Sequence, residues 1–600
     1  MRLTFNPPQD NVQTLQLFIP CRTSQFLGQS TFNIFSLAPF MAGVPVPRGF
    51  GNALIDRFVG WRGGLRPETC SYTVTPVKIP LEGEEDIQLA ADLYRPVTKG
   101  NEPAAGTILV QCPYGRRLPL SLSVRMYPPR GYNVLFVSTR GTFGSGGTVN
   151  PSATDRVDGA RVVRWMRKQP WYTGTFATLG ASFVGYTQWA LMASDEPLDD
   201  MVAAIPSVAP HDFMELVWGT GALWLACVDW ANLITVQEST PGWRMLYSMA
   251  TASPWGLIDI KRSLPLVDAA KAHLGDKTPW LYNWMTQPVD QNYELYKPMR
   301  QGKALDTTKA AILLHGGWQD IFTSSQIEQF QRLQARGVTV ALTMGPWNHI
   351  QVGGGEGVSK ETLDWLDKYL AKRKTEDIRP ASVRINITGT NEWRWLPSWP
   401  PATKPLELYL SSQGLLDRKQ PKKSDEASFT FDPHDPTPTL GGGLLFGGGT
   451  ADDSALAKRS DVLSFTSAVL DHDFEVMGSP RIELTHSSDN VHVDLFVRIS
   501  EVNAKGVSHN ITEVYKRLDP DRAPAGQQVK VNLDMRPCAH RFKKGTAVRV
   551  LVAGANFPHY AYNLGSGENQ GTGTTLRPAT HTLHLGVDSG TKLLLPVPLE

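Results

Sequence analysis

The chain is 600 residues long, carries a net charge of +2 from 59 basic and 57 acidic residues, and is 41% hydrophobic and 19% charged, with 17 tryptophans. That length exceeds what one hydrophobic core serves, and the composition argues against extensive disorder. Evenly mixed charge offers no footprint for nucleic acid or an anionic membrane. The five cysteines, Cys21, Cys70, Cys112, Cys227 and Cys538, lie far apart without C-x-x-C spacing. They read as buried thiols of a reducing compartment rather than as a disulfide framework or a zinc site, so the expected location is cytoplasmic.

Residues 1–70 are expected to form an irregular N-terminal arm. The first fifty carry one acidic residue, Asp10, and three arginines, which faintly resembles an organelle transit peptide without its amphipathic pattern. The longest early apolar stretch, Ile34 to Val46, is interrupted by Pro39 and Pro45, so no membrane span is expected. Sequons at Asn386 and Asn510 read as chance occurrences in a chain without a secretory signal.

From residue 107 to 349 short continuous apolar runs recur: Thr107 to Cys112, Tyr132 to Val137, Phe176 to Leu179, Met201 to Ile205, Ala310 to Leu314 and Val338 to Met344. Continuous runs predict strands covered on both faces. Helical patterns lie between them, including Asp158 to Lys168 and Ser324 to Arg336. The expected class is α/β, with a mainly parallel sheet over residues 71–209 and 304–377.

Residues 210–303 lose the strand rhythm. Their tryptophans (Trp218, Trp224, Trp230, Trp243, Trp255, Trp280, Trp284) predict an inserted helical cap, in which most would be core and a minority could line a ligand pocket. After the helical Leu363 to Lys374, short alternating segments such as Ser382 to Thr388, Arg481 to Thr485, Val491 to Val497 and Ala547 to Val552 predict an all-β domain over residues 378–600. The glycine-rich stretch Gly441 to Gly449 lacks the Lys-Ser/Thr of a phosphate loop and reads as a flexible connection.

The chemistry concentrates after three of the apolar runs. Ser182 follows Ala177-Thr-Leu-Gly-Ala181 and precedes a helix-like segment, the pattern of a nucleophile on a sharp strand-to-helix turn. A hydroxyl is a weak nucleophile at its own pKa and needs a base. Asp320 follows Ile312-Leu-Leu-His-Gly-Gly-Trp-Gln319, and His349 follows Val340-Ala-Leu-Thr-Met-Gly-Pro-Trp-Asn348. In a parallel sheet such positions gather at one edge, and the order Ser, Asp, His is that of α/β-hydrolases. A loop aspartate or histidine taken singly is more often a turn residue or a solvated side chain; the joint pattern carries the reading. Ser182 would attack a carbonyl, His349 would take and return its proton, and Asp320 would hold the imidazole tautomer. The developing oxyanion would meet the N–H of Phe183 and, from the turn after an earlier strand, the phenol of Tyr114 in Cys112-Pro113-Tyr114.

These residues resemble the CocE/NonD hydrolases, which include cocaine esterase, α-amino-acid ester hydrolases and X-Pro dipeptidyl peptidases. The family elbow G-x-S-Y-x-G is similar to Gly180-Ala181-Ser182-Phe183-Val184-Gly185. Its Asn-Pro-Tyr segment resembles Cys112-Pro113-Tyr114, its arginine-glycine turn Thr139-Arg140-Gly141, and its Gln-Pro-Trp Gln169-Pro170-Trp171. Trp393-Arg394 with Ser398-Trp399-Pro400 resemble the family's opening of a jelly-roll domain, and Asn556-Phe557-Pro558 with Asn563 its closing stretch.

The likeness covers about residues 70 to 600. It implies an α/β-hydrolase core, a helical cap holding part of the acyl pocket, and a jelly roll over the cleft. Trp218 and Phe322 are implied as acyl-pocket residues, with ordinary core packing as the alternative. Ser138, in place of aspartate, and Phe183, in place of tyrosine, depart from the pattern.

The expected activity is cofactor-independent and metal-free hydrolysis of a small-molecule ester or amide. X-Pro peptidase action, acyl transfer and a non-catalytic binding protein stand as alternatives, and a homo-oligomer is left open. His581 and His584, the closest histidine pair, lack further metal ligands at suitable spacing.

Overall fold

The computed structural model describes residues 43–599 apart from 242–243, 245–246, 248–255, 288–292 and 374–378. Cys21, Trp243 and Trp255, and the first 42 residues of the expected arm, lie outside the described residues.

Among the described residues, eleven strands form the first sheet. In chain order these are β1 Val46–Pro47, β2 Ser71–Leu81, β3 Glu84–Val97, β4 Thr107–Cys112, β5 Asn133–Ser138, β6 Phe176–Ala181, β7 Met201–Ser207, β8 Ala311–Gln319, β9 Val340–Asn348, β10 Val383–Ile387 and β11 Glu392–Leu396. They lie side by side as β1-β2-β3-β5-β4-β6-β7-β8-β9-β10-β11. The run from β5 to β10 is parallel, and both edges are antiparallel. The apolar runs are buried as their lack of alternation requires: every residue of β4, β5 and β8 is buried.

Helices cover the faces. Asp155–Arg167 and Phe183–Met192 pack against one another, and all ten residues of the second are buried. Thr323–Ala335 packs on β8 and β9, and Val358–Tyr369 on β7 and β8. The chain runs from β4 out to β5 and then crosses to β6 on the other side of β4. This places a topological switch, the usual site of ligand crevices, between the carboxyl ends of β4 and β6.

Two expectations need correction. Residues 50–62, expected to belong to an irregular arm, form the helix Phe50–Arg62. It is docked by Asp56, which is fully buried and accepts from Tyr72 Oη at 2.9 Å and from Arg48 Nε at 3.0 Å, with Arg125 at 2.5 Å. Those partners lie on separate segments, so no local pattern announces the helix. Second, the segment Ser382 to Thr388, expected to open the all-β domain, contains β10, which pairs in parallel with β9, while Trp393 and Arg394 lie on β11. The first sheet therefore runs on to Leu396.

Helices occupy the insert between β7 and β8, among them Phe213–Trp218, Ala226–Val236, Leu266–Leu274 and Pro279–Thr286. Their tryptophans are buried in one aromatic cluster with Phe183, Tyr186 and Phe213. From Thr403 onward the chain is all-β: a second eleven-stranded sheet, antiparallel except where Leu415–Asp417 meets Val462–Ser467, and a two-stranded sheet of Phe474–Gly478 with Cys538–Phe542. The two sequon asparagines, Asn386 and Asn510, are both buried, which excludes a glycan on either in the folded chain.

Candidate active site

β6 ends at Ala181, and the chain turns at Ser182 into the helix Phe183–Met192. Ser182 has φ 60° and ψ −129°, a backbone region that costs a non-glycine residue of order 1–3 kcal/mol and persists only where its surroundings impose it. Ser182 N–H donates to Ser207 O at 3.0 Å. Two glycines make the turn possible. A Cβ on Gly180, whose φ is +154°, would lie 2.2 Å from Val184 Cγ1. One on Gly185 would lie 2.4 Å from Ala209 Cβ. The glycine is needed at 185, where the helix meets β7, and position 184 tolerates valine.

Asp320 and His349 stand just past β8 and β9. His349 Nδ1 donates to Asp320 Oδ1 at 2.7 Å, and Ser182 Oγ donates to His349 Nε2 at 3.0 Å. The carboxylate can only accept, so the ring proton belongs on Nδ1 and leaves Nε2 free to accept from the serine. Asp320 is fully buried, and its second oxygen accepts from Phe322 N–H at 3.1 Å. The phenol of Tyr114, in the turn after β4, accepts from Trp230 Nε1 at 3.0 Å. Burial pushes this phenol well above its ordinary pKa, while the indole N–H of Trp230 and the neighbouring Ser182 side chain act the other way. Phe183 is the first residue of its helix, where backbone N–H groups have no intrahelical acceptor.

All three side chains proposed from sequence as the triad thus meet, with Tyr114 beside Ser182. The two residues implied as acyl-pocket residues differ. Phe322 packs edge-on against His349, ring centroids 5.4 Å apart, and clusters with Val208 and Val352. Trp218 is buried in the insert's aromatic cluster and donates its Nε1–H to Trp284 O at 3.2 Å. Ser138 accepts from Arg116, and the carboxylate facing that guanidinium comes from Asp92 of β3 at 3.3 Å.

The glycine-rich stretch needs a third correction. Instead of a free connection, Gly441 to Gly449 is a packed loop closed by Gly442 N–H to Gly449 O at 2.8 Å. Gly448 O accepts from Asn348 Nδ2 at 2.9 Å and Gly443 O from Arg536 at 3.0 Å. A Cβ on Gly443 would lie 2.8 Å from Asp320 O. Gln319, next to Asp320, also donates to Ile511 O at 2.9 Å. The β domain therefore braces the loops bearing the acid and the histidine, by contacts between residues more than 90 apart in the chain.

Among the described residues no group of three or more His, Cys, Asp or Glu side chains is arranged to hold a metal ion. His581 is buried, stacked on Phe429 and 3.1 Å from His486, whereas His584 faces Glu426 at 2.9 Å. No described helix is long and apolar enough to cross a membrane.

Residues 83–351 match the X-Pro dipeptidyl-peptidase (S15) family, and residues 377–593 match the X-Pro dipeptidyl-peptidase C-terminal non-catalytic domain. Cocaine esterase of Rhodococcus sp. (strain MB1 Bresler) is 26% identical over 588 residues, covering 88% of this chain and 99% of that protein. A putative serine esterase of Mycobacterium tuberculosis (strain CDC 1551 / Oshkosh) is 24% identical over 592 residues, covering 83% of this chain and 92% of its own. The fold matches an α-amino-acid ester hydrolase structure with a TM-score of 0.74 at 20% identity, covering 89% of this chain and 98% of that one. A CocE/NonD family hydrolase from Staphylococcus aureus matches with a TM-score of 0.64 at 16% identity, covering 88% and 94%. With both domain matches in tandem, the chain carries an X-Pro dipeptidyl-peptidase (S15) domain followed by that family's C-terminal domain, and it resembles cocaine esterase in sequence and a CocE/NonD hydrolase in fold.

Proposed function

We propose that this hydrolase cleaves small-molecule esters through an acyl-enzyme on Ser182. His349 Nε2 takes the Ser182 proton as Oγ attacks the ester carbonyl; the tetrahedral oxyanion is received by Tyr114 Oη–H and Phe183 N–H. On collapse, His349 hands the proton to the leaving alcohol. Water then enters, His349 deprotonates it, and the acid departs as Ser182 recovers its proton. Asp320 keeps the Nδ1–H tautomer and stabilises the imidazolium. Residues 71–209 and 304–377 would carry this chemistry, with the insert 210–303 and the β domain shaping the cleft and Phe322 walling the acyl side.

One observation carries the reading: a single imidazole hydrogen-bonds both Asp320 and Ser182, each supplied by the end of a different parallel strand. A fluorophosphonate should add its mass to Ser182 and abolish activity, and Ser182→Ala should lose at least about 10⁴-fold in kcat. Labelling or ester turnover that survives Ser182→Ala discards this nucleophile. An amide-cleaving, X-Pro peptidase reading is favoured by the match over residues 83–351. Activated esters assayed beside aminoacyl-prolyl amides separate the two.

A further inference from the structure

Trp230 sits on the insert helix Ala226–Val236 and is 5% exposed. Its indole touches the Tyr114 phenol and the side chain of Phe183, whose backbone N–H is the second group assigned above to the oxyanion. The edge donates Nε1–H to Tyr114 Oη at 3.0 Å, and the face lies on the Phe183 ring, centroids 5.4 Å apart with planes 29° from parallel. Behind it, Trp280 closes edge-on at 5.4 Å and Phe213 packs at 5.8 Å, so the ring is wedged on both sides. Just beyond the same helix, Gln237 Nε2 donates to Pro113 O at 2.9 Å. The insert therefore grips the turn after β4 twice, once by main chain and once by phenol.

A phenol oxygen carries one proton, and a donor on its lone pair directs that proton elsewhere. With the indole N–H on one lone pair of Oη, the Tyr114 proton is directed away from Trp230. A hydrogen bond received by the oxygen also polarises its O–H and strengthens it as a donor. Burial has the opposite effect on the phenol, and Trp230, ahead of Ser182, counters it.

We propose that Trp230 is a positioning residue of the oxyanion hole: it aims and strengthens the Tyr114 donor while seating Phe183, so the insert is part of the catalytic machinery. This rests on the oxyanion assignment made under Proposed function. It departs from a pocket-wall role, which would act on substrate fit and leave Tyr114 unaffected.

The test is a double-mutant cycle in the full chain with p-nitrophenyl acetate, kcat being normalised to Ser182 titrated with fluorophosphonate. Tyr114→Phe should lower kcat about 100-fold or more, as loss of one oxyanion donor does. Trp230→Phe should lower kcat about tenfold with KM within about twofold, and less than about twofold once Tyr114 is Phe, because coupled residues are not additive. Replacing Trp230 by 3-benzothienylalanine, which keeps the ring shape and removes the N–H, should reproduce the loss at unchanged melting temperature, covering the case in which Trp230→Phe folds poorly.

Equal losses in both Tyr114 backgrounds, a loss confined to KM, or full activity of the benzothienyl protein would each overturn the proposal. An unaffected Tyr114→Phe enzyme would overturn the oxyanion assignment itself, a result visible in the single variant before the cycle is closed.

Discussion

The parallel sheet and the β domain use strands of similar length, yet they bury them in different ways. β4 buries all six of its residues, whereas Ala579–Leu585 in the β domain alternates buried and half-buried positions along its whole length. A strand covered on both faces has no neutral position and no room for chemistry along its body, so reactive side chains collect where it ends. A strand with one wet face carries its polar residues along its length and serves as a wall. The catalytic half is therefore sensitive at strand ends and their tight turns, the β domain at its inward positions.

The largest expected effect tests the turn. Gly185→Ala places a methyl 2.4 Å from Ala209 Cβ and 3.2 Å from Gly180 O, so the helix must shift off β7 and carry Ser182 with it. A displacement on that scale should cost about 100-fold in kcat/KM, read with an activated ester. Wild-type turnover would break the claim that tight packing at the strand end sets activity.

In the β domain, Leu583→Ala empties a fully buried site and should lower unfolding free energy by about 2–5 kcal/mol in denaturant titration, with kcat per titrated site unchanged. A matching fall in kcat would show that the β domain does more than brace.

The two halves should also differ in how pH destabilises them. Burial pushes the Asp155 carboxyl of the catalytic half up to about 7. Folded Asp155 thus holds its proton to higher pH than the unfolded carboxyl, so its contribution is full below about pH 4 and is lost as pH rises to 7. In the β domain, burial, then the neighbouring His584, pushes His486 down from 6.5 to about 4. Its contribution is full above 6.5 and is lost as pH falls toward 4. Melting curves of Asp155→Asn should flatten the decline toward neutral pH, and those of His486→Gln the decline toward acid. The smallest effect sharpens the burial contrast: Thr582→Ala, on the wetter face beside Leu583, should change stability by no more than about 0.5 kcal/mol.

Much of this was legible in the chain. The continuous apolar runs marked the parallel strands because two-sided burial removes polar residues from both registers. Ser182, Asp320 and His349 stood out because each follows such a run. Gly185 could be recognised as the displaced elbow glycine, although the clash with Ala209 that requires it could not. The helix Phe50–Arg62 escaped notice because Asp56 is neutralised by Arg48 and Arg125, which no short window contains. The glycine-rich stretch looked loose because its partners, Asn348 and Arg536, lie about 90 residues away on either side. Trp230 was one indole among many apolar residues, and its hydrogen bond to Tyr114 spans 116 positions.

By itself the sequence determined which runs form strands covered on both faces and which loops bear reactive groups, since burial pattern and turn chemistry act over a few neighbouring residues. Tertiary structure decided which distant groups touch: the insert helix on Tyr114, the β domain on the acid loop, β10 on β9. Those contacts depend on packing between segments from about 40 to nearly 200 residues apart, where shape and partner availability, rather than local preference, select the pair.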